Sequence, residues 1–214
     1  MKINVTNPLT KEALYSFDTA SKEEITEVFK VARKTQSKIA DLTIAERVKE
    51  VVKISDYIIN NYKSISERVV SETGKTSFEA LSNELFGICD TIDYYRDQAV
   101  KILKPQKVHT SLVLMGKKSR IEFSPMGTIL IIAPWNYPLI QCFVPSILAF
   151  LSGNAVVYKP SEITPLKGLY EEILEGAGFM KDAIQIVYGD KETGATLIEE
   201  KGNTSIYKTT LKNE

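Results

Sequence analysis

Residues 127–138 read GTILIIAPWNYP, and this stretch decides the fold. The run after Thr128 is short and fully apolar, which is typical of a strand buried on both faces of a parallel sheet. Pro134 and Pro138 then bracket a sharp turn. A helix is predicted after Pro138, because proline is favoured in the first turn of a helix. The stretch therefore predicts one strand–turn–helix unit.

The same order of elements continues downstream. Residues 155–158 and 184–188 are predicted strands, and a last helix is predicted from near Thr193. Between the strands, Thr164-Pro165 favours a helix start with threonine as the cap. Strands that alternate with helices predict an α/β fold with a doubly wound, Rossmann-like parallel sheet. Ligands of such sheets bind at the carboxyl ends of the strands.

Helices are predicted for the first part of the chain. Ser21 with Glu24, and Thr43 with Glu46, have the spacing of capping boxes, in which two residues satisfy each other's backbone N–H groups. A third helix is predicted over residues 77–100. Its predicted inner positions are Leu81, Leu85, Ile88, Ile92 and Tyr95.

Residues 108–123 alternate loosely between polar and apolar, with Gly116 near the middle. This pattern predicts a β-hairpin around a glycine turn. A two-stranded hairpin is not stable alone, so it must lie on the main body or on another subunit. The predicted organisation is an N-terminal helical part over 1–104, a hairpin arm over 105–124 and a Rossmann-like segment over 125–214.

Composition excludes several classes of protein. Lys plus Arg and Asp plus Glu number 27 each, so the chain lacks the basic surface of a nucleic-acid binder. No apolar run approaches the roughly 18 residues that span a bilayer, and no signal peptide is visible at Met1. Two cysteines are too few for a disulfide framework. We expect a cytoplasmic protein with no nucleic-acid or membrane partner.

Asn136 and Trp135 lie in the turn that follows the first predicted strand. One interpretation makes Asn136 a helix N-cap and Trp135 a core residue. The other makes the Asn136 amide a donor to a developing oxyanion.

The next two strands are followed by Lys159 with Glu162 and by Gly189 with Gly194. A cation and a carboxylate this close together suit the hydroxyls of a ribose, although a solvated charge pair is the alternative. The glycines allow either a simple turn or the close approach of a cofactor to the backbone.

Three other features are interpreted as structural. Gly74-Lys75-Thr76 is not a phosphate-binding loop, because the motif needs a glycine where Val69 stands. His109, the only histidine, has no Cys or His partner nearby and is expected at the surface, so no metal site is predicted. Cys89 and Cys142 are predicted packing residues in helices.

The motifs in combination strongly resemble the aldehyde dehydrogenase superfamily, from about residue 5 to about residue 200. The resemblance rests on Pro125-Met126-Gly127, on residues 131–138 and on residues 153–162, with support from Ser71-Glu72-Thr73-Gly74-Lys75. It implies the NAD(P)-dependent oxidation of an aldehyde to a carboxylic acid through a cysteine thioester. The hairpin is similar to the family's oligomerisation element, and loss of the family's last strands would leave a sheet edge exposed. A homo-oligomer through the hairpin and this sheet edge is therefore expected.

The resemblance also implies roles for individual residues. Asn136 would stabilise the oxyanion, and Lys159 and Glu162 would bind the adenosine ribose. The remaining cofactor-binding residues would be Ile132, Ala133 and Trp135 on the nicotinamide-ribose side and Gly189 on the adenine side. Because the Glu162 carboxylate would repel a 2′-phosphate, NAD is expected rather than NADP.

The sequence departs from the family pattern in two ways. The Gly-Gln-x-Cys segment of the family's nucleophile and the Glu-Leu-Gly-Gly segment of its general base are both absent. After about Lys201, the family's strand and phosphate-contacting turn are not recognisable. We therefore expect a truncated aldehyde dehydrogenase that lacks the catalytic domain and binds NAD weakly or not at all. A non-catalytic nucleotide-binding or interaction module and one half of a split enzyme are the alternatives.

Overall fold

The computed structural model describes residues 1–110 and 116–200, together with the backbone of residues 204–208. The strands in this part of the chain are β1 Lys2–Thr6, β2 Ala13–Asp18, β3 Gln106–Val108, β4 Ser119–Ile121, β5 Thr128–Ile132, β6 Ala155–Lys159, β7 Ile184–Ile186 and β8 Thr204–Lys208. The helices are α1 Lys22–Asp41, α2 Ile44–Asn60, α3 Tyr62–Thr73, α4 Ser77–Glu79, α5 Gly87–Leu103, α6 Pro138–Leu151, α7 Leu169–Gly176 and α8 Lys191–Glu199. A π-helical segment, Ala80–Phe86, joins α4 to α5.

The central sheet is parallel and has the strand order β7-β6-β5-β8. The chain steps from β5 through β6 to β7 and then returns through α8 to the other side of β5. Helix α6 packs on β5 and β6, while α1 packs on the same two strands and also contacts α8. Because crossovers between parallel strands are right-handed, this strand order puts α6 and α8 on opposite faces of the sheet. The parallel α/β sheet confirms the predicted doubly wound, Rossmann-like fold class.

The last strand corrects one expectation. No family strand is recognisable in the sequence after Lys201, yet the backbone of β8 pairs with β5 along its whole length, from Thr128 with Thr204 to Ile132 with Lys208. The β8 sequence TSIYK contains β-branched and aromatic residues that favour an extended chain. A strand forms there although the residues of the family motif are not present.

The two central strands, β5 and β6, are largely apolar and buried, as is typical of strands covered on both faces. All five residues of β6 are buried, including the terminal Lys159. In β5, Thr128, Leu130 and Ile131 are buried, while Ile129 and Ile132 are partly exposed. The predicted β5–α6 unit is confirmed, since α6 begins at Pro138.

The N-terminal helices begin where the sequence predicts. Both capping boxes form: Ser21 Oγ accepts from Glu24 N at 3.2 Å, and Thr43 Oγ1 accepts from Glu46 N at 3.2 Å. The third helix begins at Ser77 as predicted, but the π-helical segment interrupts it before α5. Of its predicted inner residues, Leu85, Ile88 and Ile92 are buried and the others are partly buried.

The hairpin arm is formed by β3 and β4. These strands pair antiparallel, with Gln106 opposite Ile121 and Val108 opposite Ser119. Gly116 has φ 87°, the left-handed conformation that a glycine turn uses. Residues 111–115 of the predicted hairpin lie outside the described residues.

The predicted helix start at Thr164-Pro165 is wrong. Helix α7 begins at Leu169 instead, after Gly168 with φ 86°. Thr164 does not cap a helix, because its hydroxyl donates to the Trp135 carbonyl at 2.7 Å. Leu166 has φ 44°, a left-handed conformation that a helix interior does not accommodate. The 163–168 segment therefore turns back towards the end of β5.

Candidate functional site

The turn between β5 and α6 carries the predicted oxyanion donor. The N-cap of α6 is Tyr137, so the interpretation of Asn136 as the N-cap is wrong. In the described part of the chain, the buried Asn136 Oδ1 has no hydrogen-bond partner. Trp135 is 51% exposed, so it is not the core residue of the alternative interpretation. An amide whose oxygen has no partner, beside an exposed ring, is suited to a bound molecule; the group that would donate to an oxyanion is the NH2 of this amide and not its oxygen.

Lys159 and Glu162 lie together at the end of β6. The Lys159 ammonium donates to the Pro160 carbonyl at 3.0 Å and lies 3.5 Å from Glu162 Oε2. Lys159 is buried, whereas the Glu162 side chain is 42% exposed. Burial lowers the pKa of Lys159, and Glu162 acts in the opposite direction. This juxtaposition of a cation and a carboxylate is the one that the sequence predicts.

Gly189 ends the segment after β7 and is required by packing. A Cβ on Gly189 would lie 2.1 Å from Thr193 Oγ1, a distance that real contacts do not allow. Thr193 is held there because its N–H donates to the Asp190 carboxylate, which caps α8, at 3.0 Å. A Cβ on Gly194 would lie 3.7 Å from the Lys159 side chain, an ordinary contact. The turn after β7 thus packs against the end of β6.

The remaining predicted cofactor residues lie at the same edge. Ile132 is the last residue of β5, and the Ala133 N–H donates to the Lys159 carbonyl at 3.2 Å. That bond extends the β5–β6 pairing by one residue. Predicted site residues after β5, β6 and β7 therefore share the carboxyl edge of the sheet, where ligands of doubly wound folds bind.

Glu84 and Lys75 are two residues of this region that sequence reasoning missed as parts of the site. Glu84, in the π-helical segment, is fully buried, and its Oε2 accepts from Leu139 N at 2.7 Å. Lys75 pairs with the other oxygen of Glu84 and also lies 3.9 Å from the centre of the Tyr137 ring. Burial raises the pKa of Glu84, while Lys75 and the backbone N–H of Leu139 oppose that shift. Only the tertiary structure reveals this contact with the β5–α6 turn.

Glu72 is a second buried carboxylate that the sequence does not reveal. It accepts from the Tyr15 hydroxyl at 2.7 Å and from Leu166 N at 2.8 Å. Burial raises its pKa, and these two donors act in the opposite direction. Glu72 thereby ties the end of α3 to the 163–168 segment, which in turn contacts Trp135 through Thr164.

Both cysteines are packing residues, as predicted. Cys142 is fully buried in α6, and burial raises the pKa of its thiol well above the usual range. Burial also raises the pKa of the Cys89 thiol in α5. His109 is exposed, as expected, and the described residues contain no group of His, Cys, Asp and Glu side chains that could hold a metal ion.

The strand order and the polar residues at the carboxyl edge define the class, a Rossmann-like α/β protein. A family model described as "Aldehyde dehydrogenase family" matches residues 1–209. The chain therefore belongs to the aldehyde dehydrogenase family. The match also extends the resemblance beyond its predicted limit near residue 200.

Individual relatives agree with this assignment. The 4,4'-diapolycopene aldehyde oxidase of Methylomonas sp is 31% identical over 201 residues, which make up 93% of this chain and 38% of the relative. An aldehyde dehydrogenase of Bacillus cereus, solved as an NAD+ complex, is 26% identical with a TM-score of 0.85, and the match covers 94% of this chain and 41% of that one. The NADP-dependent glyceraldehyde-3-phosphate dehydrogenase of Bacillus halodurans C-125, complexed with NADP, is 27% identical with a TM-score of 0.85. That match covers 93% of this chain and 42% of the dehydrogenase.

The chain spans about two fifths of the length of these relatives, between 38% and 42%. In the part of the chain that the structure describes, no helix is both long and apolar enough to cross a membrane.

Proposed function

We propose that this chain is the cofactor-binding part of an aldehyde dehydrogenase and binds a nicotinamide dinucleotide at the carboxyl edge of its sheet. The observation that carries the proposal is the shared position, at the carboxyl edge of the sheet, of the Lys159–Glu162 pair and of the Asn136 amide, whose buried oxygen has no hydrogen-bond partner among the described residues. Complexes with NAD+ and with NADP among the structural relatives support a cofactor of this class.

The residues present fit such a cofactor. The Lys159 ammonium, with three N–H donors, and the Glu162 carboxylate, an acceptor, complement the two hydroxyls of a ribose. Ile132, Ala133 and Trp135 would contact the nicotinamide ribose from the end of β5, and Gly189 would face the adenine side. When bound, the nicotinamide supplies a hydride acceptor.

NAD is the cofactor that we propose, in preference to NADP. The Glu162 carboxylate is 42% exposed and 3.5 Å from the Lys159 ammonium, so it is available to a ribose at this edge. A 2′-phosphate at the same position would meet a like charge, which disfavours binding. Tighter binding of NADP than of NAD by the unaltered chain would contradict this preference.

In the family reaction, Asn136 would donate to the aldehyde oxygen as negative charge develops on it. Donors placed in advance at such a position contribute a large share of the stabilisation of acyl-transfer transition states. The reaction also needs a thiolate, and burial raises the pKa of both thiols in this chain. We therefore propose cofactor and oxyanion binding, and not complete turnover, for these 214 residues.

The hairpin arm and the surface beside it are proposed to join a second copy of the chain. Phe123 and Met126 are 55% and 65% exposed. They line an apolar groove of about 710 Å³ that also includes Ile129, Ile140 and Val144. Large exposed apolar surfaces of this kind are typical of protein interfaces. The cytoplasm remains the compartment that the sequence predicts.

Calorimetric titration with NAD and with NADP tests the proposed function. A Lys159→Met, Glu162→Gln variant keeps the size of both side chains and removes their charges. A matched control is Lys30→Met, Glu27→Gln, because that Lys–Glu pair has the same spacing and lies exposed on α1. We expect NAD binding by the unaltered chain and the control, and at least about tenfold weaker binding by the Lys159 variant.

No NAD binding by the unaltered chain at millimolar concentration would overturn the proposal. Equal binding by the Lys159 variant and the control would keep the cofactor but remove these two residues from its site.

A further inference from the structure

Within the described part of the chain, the buried Oδ1 of Asn136 has no hydrogen-bond partner that would fix it, so the position of this side chain depends on the backbone of the β5–α6 turn. An amide that stabilises developing charge must be held in place before the reaction, since reorganisation costs free energy. The contacts that hold residues 134–139 therefore determine where this amide lies.

Helix α6 lacks a cap of its own. Helices α1, α2, α4 and α8 each begin with a local side chain that accepts a backbone N–H. The N-cap of α6, Tyr137, makes no such bond. Its place is taken by Glu84, which reaches across from the π-helical segment to Leu139 N. A carboxylate at a helix N-terminus also interacts favourably with the helix dipole.

Unlike a local cap, Glu84 connects two separate elements, the π-helical segment and α6. Lys75, next to the C-cap Gly74 of α3, pairs with Glu84 and lies over the Tyr137 ring. The contacts therefore hold residues 137 and 139 from the side of α3 and the π-helical segment.

Neutral donors hold two backbone carbonyls of the same turn. The hydroxyls of Tyr158 and Tyr170 both donate to the Pro138 carbonyl at 3.2 Å. Thr164 donates to the Trp135 carbonyl at 2.7 Å. Backbone atoms on each side of Asn136 are thus held by hydrogen bonds, while its own Oδ1 has no partner among the described residues.

We propose that Glu84, paired with Lys75, is the positioning residue of the site: it holds the β5–α6 turn so that the Asn136 amide faces the bound substrate. Glu84 acts through the backbone and does not itself touch the substrate. The inference rests on the proposed function for its purpose, but the contact can be tested without a cofactor or a substrate.

Trp135 makes that test direct, because it is the only tryptophan of the chain and lies in the turn beside Asn136. Acrylamide quenching and the fluorescence anisotropy of Trp135 report how firmly the turn is held. Hydrogen exchange of the Leu139 amide reports the cap itself.

Three changes at Glu84 separate the cap from the charge. Glu84→Gln keeps an oxygen that accepts from Leu139 N, Glu84→Asp keeps the charge but shortens the reach, and Glu84→Leu removes both. We expect stronger quenching and lower anisotropy for Leu and Asp, and values near the original for Gln. Loss of the cap should also make exchange at Leu139 about fivefold faster or more.

The control is Ile25→Ala, which removes a buried side chain of α1 and lowers the stability of the whole chain. Its Trp135 signals should not change at temperatures where it is folded. Unchanged Trp135 signals in Glu84→Asp and Glu84→Leu would overturn the proposal. If Glu84→Leu does not fold, the comparison of Glu84→Asp with Glu84→Gln tests the proposal by itself.

The two proposals fail separately. A response of Trp135 to Glu84→Asp, in a chain that binds no NAD, would support the positioning role and remove the proposed cofactor. A chain that binds NAD, and whose Trp135 signals do not respond to Glu84→Asp, would support the proposed cofactor and remove the positioning role.

Discussion

At the scale of single residues, three buried charged groups define the region of the site. Lys159, Glu72 and Glu84 are each no more than 4% exposed, and each makes a hydrogen bond to the backbone of a turn at the carboxyl edge of the sheet. Charged groups are seldom buried unless they are paired, because desolvation is costly. Their burial here is explained by the backbone groups that they satisfy.

Removing the charge of Lys75 should strongly destabilise the fold. Lys75→Met leaves the Glu84 carboxylate buried without its partner, and breaking a buried pair in this way costs about 3–5 kcal/mol. Lys75→Met, Glu84→Gln removes both charges and should recover most of that loss. Urea unfolding measures both variants, and a double variant no more stable than Lys75→Met alone would contradict the expectation.

Glu72 should make stability fall as pH rises. Burial raises its pKa above 4.5, the ordinary value of a glutamate carboxyl. Above pH 4.5 the unfolded chain therefore loses this proton first, and ionisation favours unfolding until the pH passes the folded pKa. Glu72→Gln removes this titration. The unfolding free energy of the original chain minus that of the variant should decrease between pH 4.5 and pH 7, and an increase would show that the pKa is lowered instead.

At the scale of elements, the sequence predicts what local patterns determine. Capping boxes place the starts of α1 and α2, and an apolar run followed by Pro138 predicts the β5–α6 unit. The predicted start of α7 at Thr164 is wrong, because the Thr164 hydroxyl bonds to the Trp135 carbonyl and does not cap a helix. The π-helical segment and the roles of Glu72 and Glu84 depend on contacts between distant parts of the chain. Patterns along the sequence do not contain that information.

The turn between β7 and α8 should distinguish two neighbouring glycines. Gly189→Ala would place Cβ 2.1 Å from Thr193 Oγ1, and we expect a loss of about 1–3 kcal/mol from the resulting shifts. Gly194→Ala is the matched control, because its nearest contact is 3.7 Å and alanine favours the helical conformation. Thermal or urea unfolding compares the two. Equal effects would show that Gly189 is not required by packing.

At the scale of the whole molecule, two layers of helices cover the central sheet, but one apolar surface stays exposed. The groove between α5 and α6 continues towards Phe123 and Met126, next to the hairpin arm. Within the described residues, Val108 and Ile121 of the hairpin are also 41% and 49% exposed. The doubly wound sheet was predictable from the order of elements, whereas the position of this surface was not, because it depends on how α5 packs against α6.

This exposed surface should make the chain self-associate. Size-exclusion chromatography with light scattering should give a mass above 24.0 kDa for the original chain. Phe123→Ser, Met126→Ser should weaken association at least about tenfold, because it removes apolar area from the proposed contact. Phe78→Ser is the control, since Phe78 is 77% exposed on α4, outside the groove.

A stable monomer for the original chain at high concentration would contradict the proposed contact. A mass unchanged by the double variant would place the contact elsewhere, with β8, the edge strand of the described sheet, as the next surface to alter.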